Sequence, residues 1–239
     1  MTITRARLGI VTIGQSPRTD LHQDLHTLLG NSIELMEIGA LDGLDLKTIT
    51  TRYPIQGKTD VLVSRMRDGA QVTISESDLE PLLINAIHSM QQRQPEVLVV
   101  LCTGELPDIA ATHGPVIQPK DVVRHFFAGL NLQHLAVMSP ESAQITNTRN
   151  RWQKAGFQCD CSYGSPYQEE AARYQASQEL KNSAADIIYL DCMGYTLAQA
   201  RQIAQWSGKT VVTARQIIFK TVETLLLNTH SMGSGRLLK

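Results

Sequence analysis

Short apolar runs and stretches of helical period alternate along nearly the whole chain. Residues 8–13, Leu-Gly-Ile-Val-Thr-Ile, form a β-branched run closed by Gly14 and Pro17, which predicts a first strand. Beyond it Leu21, Leu25, Leu28 and Leu29 recur at helical spacing. Ser16 ahead of Pro17 is expected to cap that helix, with proline at its first position. A second strand follows at 33–38, then a turn at 41–44 and a short helix at 45–52 that Pro54 and Gly57 break. Arg67-Asp-Gly69 between β-branched runs at 59–64 and 70–74 predicts a hairpin. Ser75 or Ser77 then caps a long helix with acids in its first turn, ending near residue 93.

The second half repeats the alternation. A strand over 96–102 leads into an irregular stretch that reaches Pro119. Helices are predicted at 121–128, 141–155, 168–182 and 197–206, with strands at 133–138, 157–161, 186–192 and 210–212 between them. A closing helix runs to about residue 227, and the Gly/Ser-rich tail after it is expected to fray.

Alternating strands and helices imply parallel sheets joined by right-handed crossovers. Two local patterns occur once in each half. Strand, serine, proline, helix appears at Ser16-Pro17 and again at Ser139-Pro140. An acid, an apolar run, cysteine, any residue, glycine appears at 96–104 and again at 186–194. The simplest account is an α/β fold of two doubly wound, mainly parallel, Rossmann-like lobes related by pseudo-two-fold symmetry. The expected boundaries are 1–119 plus 213–229 for the first lobe and 120–212 for the second, with 230–239 as a flexible tail. Ligands of such sheets bind at the carboxyl ends of the strands, where both patterns fall. Cys102 and Cys192 are therefore expected to face one cleft from opposite sides.

Composition narrows the partners. A net charge of −1 leaves no basic footprint for nucleic acid or for an anionic membrane. No run of 18 apolar residues is present, and the first residues lack the apolar core of a signal peptide, so the cytoplasm is the expected compartment. Four cysteines in 239 residues are no disulfide framework and are expected to stay thiols. The pair His22 and His26 lacks a third ligand, no phosphate-binding glycine motif occurs, and neither a metal nor a cofactor is implied. Cys159 and Cys161 sit two apart on a short strand, where buried packing is the default.

Four motifs together resemble the AroM family: residues 8–18, the segment 59–69, Leu101-Cys-Thr-Gly104 and Leu190-Asp-Cys-Met-Gly-Tyr195. The likeness covers about residues 8–227. That family looks like a branch of the aspartate/glutamate racemase superfamily, with its hydantoin racemases, maleate isomerases and arylmalonate decarboxylases. The resemblance implies two Rossmann-like lobes and cofactor-free chemistry at paired cysteines. Glutamate racemases carry Asp-Ser-Gly-x-Gly-Gly after the first strand, where this chain has Gly14-Gln-Ser-Pro-Arg18. The residues flanking both cysteines differ as well, so an amino-acid substrate held in the usual manner is not expected.

Moving a proton on a carbon beside a carboxylate takes a base on one face and an acid on the other. Cys102 and Cys192 are the candidates; the bland alternative is a pair of small buried hydrophobes. Gly14, Gln15, Ser16 and Arg18 form a strand-end loop with N–H donors and a guanidinium suited to a carboxylate. Thr103, Gly104, Met193 and Gly194 offer N–H donors to an enolate oxygen, and Ser139 is the symmetry mate of Ser16. Asp191 would raise the pKa of the adjacent thiol. Two classes of function follow: a cofactor-independent racemase, isomerase or decarboxylase acting on a small carboxylate, or a carboxylate-binding or regulatory protein on the same fold. A homodimer is open as the assembly.

Overall fold

The computed structural model describes residues 5–30, 33–106 and 108–230, so the tail expected over 230–239 lies, beyond His230, outside the described residues. The chain opens with β1 (Ala6–Thr12), α1 (Thr19–Leu29), β2 (Ile33–Gly39) and α2 (Leu46–Arg52). A hairpin of β3 (Val61–Arg65) and β4 (Gln71–Ser75) leads to α3 (Glu76–Gln91), β5 (Val97–Leu101), β6 (Val116–Ile117) and α4 (Pro119–Ala128). Then come β7 (His134–Ser139), α5 (Ile145–Lys154), β8 (Gln158–Tyr163) and α6 (Glu170–Lys181). The chain closes with β9 (Ile187–Leu190), α7 (Leu197–Ser207), β10 (Thr210–Thr213) and α8 (Ala214–His230).

Two four-stranded parallel sheets result, in the orders β2-β1-β5-β6 and β8-β7-β9-β10. The orders are the same once each lobe's strands are counted from its own first, so the repeated sequence patterns reflect repeated topology. The fold is α/β and two-lobed, as the alternation predicts. In β5 every residue is buried, which is why Val97–Leu101 reads as an unbroken apolar run rather than an alternating one. One apolar core joins the lobes: Leu8, Ile10 and Val99 from the first sheet and Leu135, Val137 and Tyr189 from the second, with Phe127 of α4 and Phe219 of α8. Phe127 meets Tyr189 edge to face at 5.2 Å. The closing helix α8 packs on α1, α4, β1 and β5, back against the first sheet. Among the described residues no helix is long and apolar enough to cross a membrane.

Three local expectations need correction. Ser16 does not cap α1, which starts at Thr19 with Arg18 at its cap position and no side-chain cap bond. Asp42 takes Ser16 instead, accepting its N–H at 2.9 Å and its hydroxyl at 2.6 Å. The helix expected from 141 begins as a single 3₁₀ turn, Ser142–Gln144, because Glu141 and Gln144 close a capping box there. The stretch called irregular up to Pro119 holds β6, two residues long and too short to show a period.

Candidate active site

β5 and β9 are equivalent strands; Cys102 directly follows the last residue of β5, and Cys192 follows β9 after one residue, Asp191. The two exits share one geometry. The N–H of Cys102 bonds the carbonyl of Val100 at 2.9 Å, and that of Cys192 bonds Leu190 at 3.0 Å. These tight bends end the strands and turn each sulfur back over its own loop. Gly104 then donates its N–H to Cys102 Sγ at 3.3 Å, and Gly194 donates to Cys192 Sγ at 3.3 Å. A side chain at 194 would sit 2.2 Å from the Tyr167 hydroxyl oxygen, so only glycine lets Tyr167 close over this sulfur.

Both sulfurs line one cavity of about 760 Å³ between the lobes, within the usual range for a small-molecule site. Thr103, Gly104, Ser139 and Met193 line it too, as do Glu76, Gln144, Thr148, Arg151 and Asp191. Thr103 bridges the two loops, donating from Oγ1 to the Asp191 carbonyl at 3.3 Å. Arg151 of α5 donates to the Thr103 carbonyl at 3.3 Å and pairs with the Asp191 carboxylate. Asp191 Oδ1 is buried without a partner among the described residues. Among the same residues the backbone N–H groups of Thr103 and Met193 have no hydrogen-bond acceptor. Ser139 Oγ lies 3.1 Å from Thr148 Oγ1.

The remaining sequence candidates stand elsewhere. Gly14, Gln15, Ser16, Arg18 and Gly194 are not among the cavity-lining residues. The hairpin β3–β4 packs against Gly14, where a Cβ would come within 2.3 Å of the Arg65 carbonyl oxygen. The Gln15 amide donates to the carbonyls of Leu41 and Leu44 and accepts from Arg67 N–H. Arg18 is buried and grips Asp20 with both arms of its guanidinium, at 2.8 Å each, while Nη1 reaches Thr12 Oγ1 at 3.1 Å.

Arg18 makes one more contact, to a residue that sequence reasoning passed over. Its Nη2 donates to the Tyr167 hydroxyl at 3.0 Å, and Tyr167 in turn favours the ionised form of Cys192. Electrostatic influence therefore passes from guanidinium and phenol to the sulfur. Tyr167 lies in Gly164-Ser-Pro-Tyr167, just past the end of β8, and the missed signal is its place at a carboxyl strand end beside a third Ser-Pro pair. Behind the same loop Arg215, fully buried, donates to the carbonyls of Met193 and Gly194 and to Asp24 Oδ2 at 2.6 Å. Nothing in the sequence around Arg215, the second residue of α8, marks it.

The two thiols differ electrically. Burial pushes Cys102 up to about 12; the Gly104 N–H works against this, while Cys192, Glu76 and Asp191 add to it. Burial also raises Cys192, but the Gly194 N–H, Arg18 and the Tyr167 hydroxyl oppose it, with Asp191 on the side of burial. Burial likewise works against the charge on Arg18, yet Tyr167 and Asp20 outweigh it and hold that guanidinium above its ordinary value. Glu76 is raised by its own burial and by Asp60 and Glu105. Cys192 has a cation and a hydroxyl at its side and Cys102 has acids. Of the two, Cys192 is the easier to ionise.

A model of the AroM family, described as AroM protein, matches residues 8–226. No curated protein matches the chain. Among solved structures it is similar to allantoin racemase from Klebsiella pneumoniae, at 15% identity and a TM-score of 0.60, covering 94% of this chain and 89% of that one. The maleate cis-trans isomerase of Nocardia farcinica, bound to TRIS, is similar at 12% identity and a TM-score of 0.61, with 92% of each chain covered. An unliganded arylmalonate decarboxylase is similar at 11% identity and a TM-score of 0.56, again over 92% of each chain. At these identities the likeness is one of fold: the Asp/Glu racemase-like arrangement of two lobes.

Proposed function

The chain belongs to the AroM family, and on that premise we propose that it is a cofactor-independent racemase or isomerase, or a decarboxylase, acting beside the carboxylate of a small acid held between the lobes. Cys192, as thiolate, takes the proton or receives the developing charge. Cys102, as thiol, delivers a proton from the other side. One observation carries the reading: two sulfurs at matched strand ends open into one cavity, each already holding a backbone N–H at 3.3 Å. The free N–H groups of Thr103 and Met193, with Ser139 and Arg151, hold the carboxylate and its enolate form. Arg18 serves the reaction through Tyr167 rather than by gripping the acid. Gly14, Gln15 and Ser16 fix that arginine's segment against the hairpin and Asp42.

A second reading has its own support. Both thiols are raised above their ordinary pKa, which suits a pocket that binds a small carboxylate without moving a proton. Incubating the wild type with a panel of small 2-substituted acids in D₂O separates the two. Catalysis predicts deuterium at the carbon beside the carboxylate for at least one acid, lost in Cys192→Ala, and inversion lost in both Cys102→Ala and Cys192→Ala. Binding of an acid by the wild type with no exchange into any panel member leaves only the binder.

A further inference from the structure

Two cysteines stand outside the cavity altogether. Cys159 and Cys161 lie on β8, the edge strand of the second sheet, and as i and i+2 residues they project to the same face. They sit opposite Leu135 and Val137 of β7, on the side that joins the shared core with Trp152. Their sulfurs are 3.3 Å apart. Sequence reasoning treats both as packing residues, but the structure divides them: Cys159 is buried at 8% exposure, whereas Cys161 is only partly covered. A nucleophile with access to solvent thus has a second thiol directly behind it.

We propose that Cys159 and Cys161 form a redox-active dithiol, oxidised by low-molecular-weight disulfides, in which Cys161 attacks and Cys159 resolves. The Cys161 thiolate attacks one sulfur of the oxidant RSSR, giving a Cys161–S–S–R mixed disulfide and RS⁻, which takes up a proton. Cys159 then gives up its proton and displaces the second RS⁻, closing the Cys159–Cys161 bond. Two protein thiols are oxidised and one external disulfide is reduced to two thiols, with no other electron carrier. The division of roles agrees with the local fields: Cys159 donates to Cys161 and, with Arg149, holds the Cys161 thiol below its ordinary value, against burial. The span also allows closure. Two residues along a strand separate their Cα atoms by about 6.7 Å, at the long end of the range a disulfide bridges. The Cβ atoms must also draw together to about 4 Å, so closure pulls the edge strand β8 locally out of its pleat, and disulfides under such tension are the readily reduced, switchable kind.

Both sulfurs fall in one tryptic peptide, residues 155–173, which makes the test direct. Reduced protein is incubated with excess oxidised glutathione, quenched in acid, alkylated and mapped by mass. The proposal expects this peptide to lose two hydrogens and all alkylation, and to regain both thiols on treatment with dithiothreitol. Cys159→Ser stops at a glutathione adduct on Cys161, and Cys161→Ser gives neither adduct nor internal disulfide. A stable glutathione adduct on wild-type Cys161 with Cys159 still open to alkylation overturns it. So does unchanged alkylation of both sulfurs, or oxidation that links Cys102 to Cys192 instead. The wild-type map decides the matter even if a variant fails to fold.

Discussion

The two cysteine loops are built alike and equipped differently. Each follows an equivalent strand, bends back on its own carbonyl and aims a glycine N–H at its sulfur from 3.3 Å. Even their anchors correspond: the second residue of α4, Lys120, reaches the Leu106 carbonyl at 2.6 Å, and the second residue of α8, Arg215, reaches those of Met193 and Gly194. What differs is charge. The Cys192 loop is backed by Arg18, Tyr167 and Arg215, and the Cys102 loop by Glu76 and Glu105. Duplication supplies two like thiols in one cavity; divergence of their neighbours makes them electrically unequal.

The largest effect that follows is on turnover. With any acid the wild type exchanges in D₂O, Cys192→Ser is expected to lose both exchange and inversion, by about 10²–10⁴-fold, the usual worth of a positioned acid or base. Cys102→Ser should lose inversion by a similar factor yet still wash deuterium into the starting enantiomer, because the base is intact. Chiral chromatography with mass detection reads both products at once. Equal loss of exchange in the two variants would remove the distinction between the loops.

Next comes stability. Arg215 is fully buried and offsets Asp24 and Asp20. Arg215→Met leaves Asp24 buried without its cation and should cost about 3–5 kcal/mol in urea unfolding. Lys120→Met, at the matching position with a side chain 15% exposed, should cost about 1–2 kcal/mol. Acid should weaken the Cys192 side first. Burial opposes the charge of Asp20, but Arg18, Arg215 and Arg65 hold its pKa below the ordinary value. A carboxylate depressed in the fold contributes stability above its unfolded pKa of about 4, and that contribution is lost as pH falls through the folded value. Unfolding midpoints of the wild type should therefore drop below about pH 4, and less steeply in Arg215→Met.

How much of this contrast could be read from the chain alone depends on range. The strands, the hairpin at Asp68-Gly69 and the doubled cysteine pattern are local, so period and turn chemistry reveal them. The cavity residues adjacent to a cysteine, Thr103 and Met193, follow from the same motif. Ser16 misleads because its nearest use, a helix cap, loses to an acid 26 positions away. Arg18 has the chemistry of a carboxylate clamp, and its guanidinium holds Asp20 and the Tyr167 hydroxyl, the latter 149 positions away. Arg151 and Arg215 act across the fold on loops 40 and 22 residues distant, and no local pattern encodes such a meeting.

The Arg18–Tyr167 pair gives the third test. Tyr167→Phe keeps the ring over Arg18 and removes the hydroxyl that accepts from Arg18 and favours the ionised form of Cys192. A hydrogen bond to a charged group is worth about 1.5–3 kcal/mol, so the pH midpoint for iodoacetamide labelling of Cys192 should rise by about 1–2 pH units. Labelling of Cys102 should not move, since no hydrogen bond joins Tyr167 to it among the described residues. Peptide mapping after labelling keeps the two sulfurs apart.

The smallest effect belongs to the other loop. Cys102 Sγ and Glu76 Oε1 both lie within 3.4 Å of the point where a side chain on Gly104 would begin. The Glu76 carboxylate is thus a near neighbour that resists ionisation of the thiol. Glu76→Gln removes that charge and should lower the Cys102 labelling midpoint by about 1 pH unit or less, burial remaining the larger influence. The sign is fixed by the pairing: a negative neighbour raises a thiol, so its loss must lower it, and Cys192 should barely respond. Were Glu76→Gln to shift Cys192 as far as Cys102, the acids would belong to the whole cavity. The electrical difference between the loops would then rest on Arg18 and Tyr167 alone.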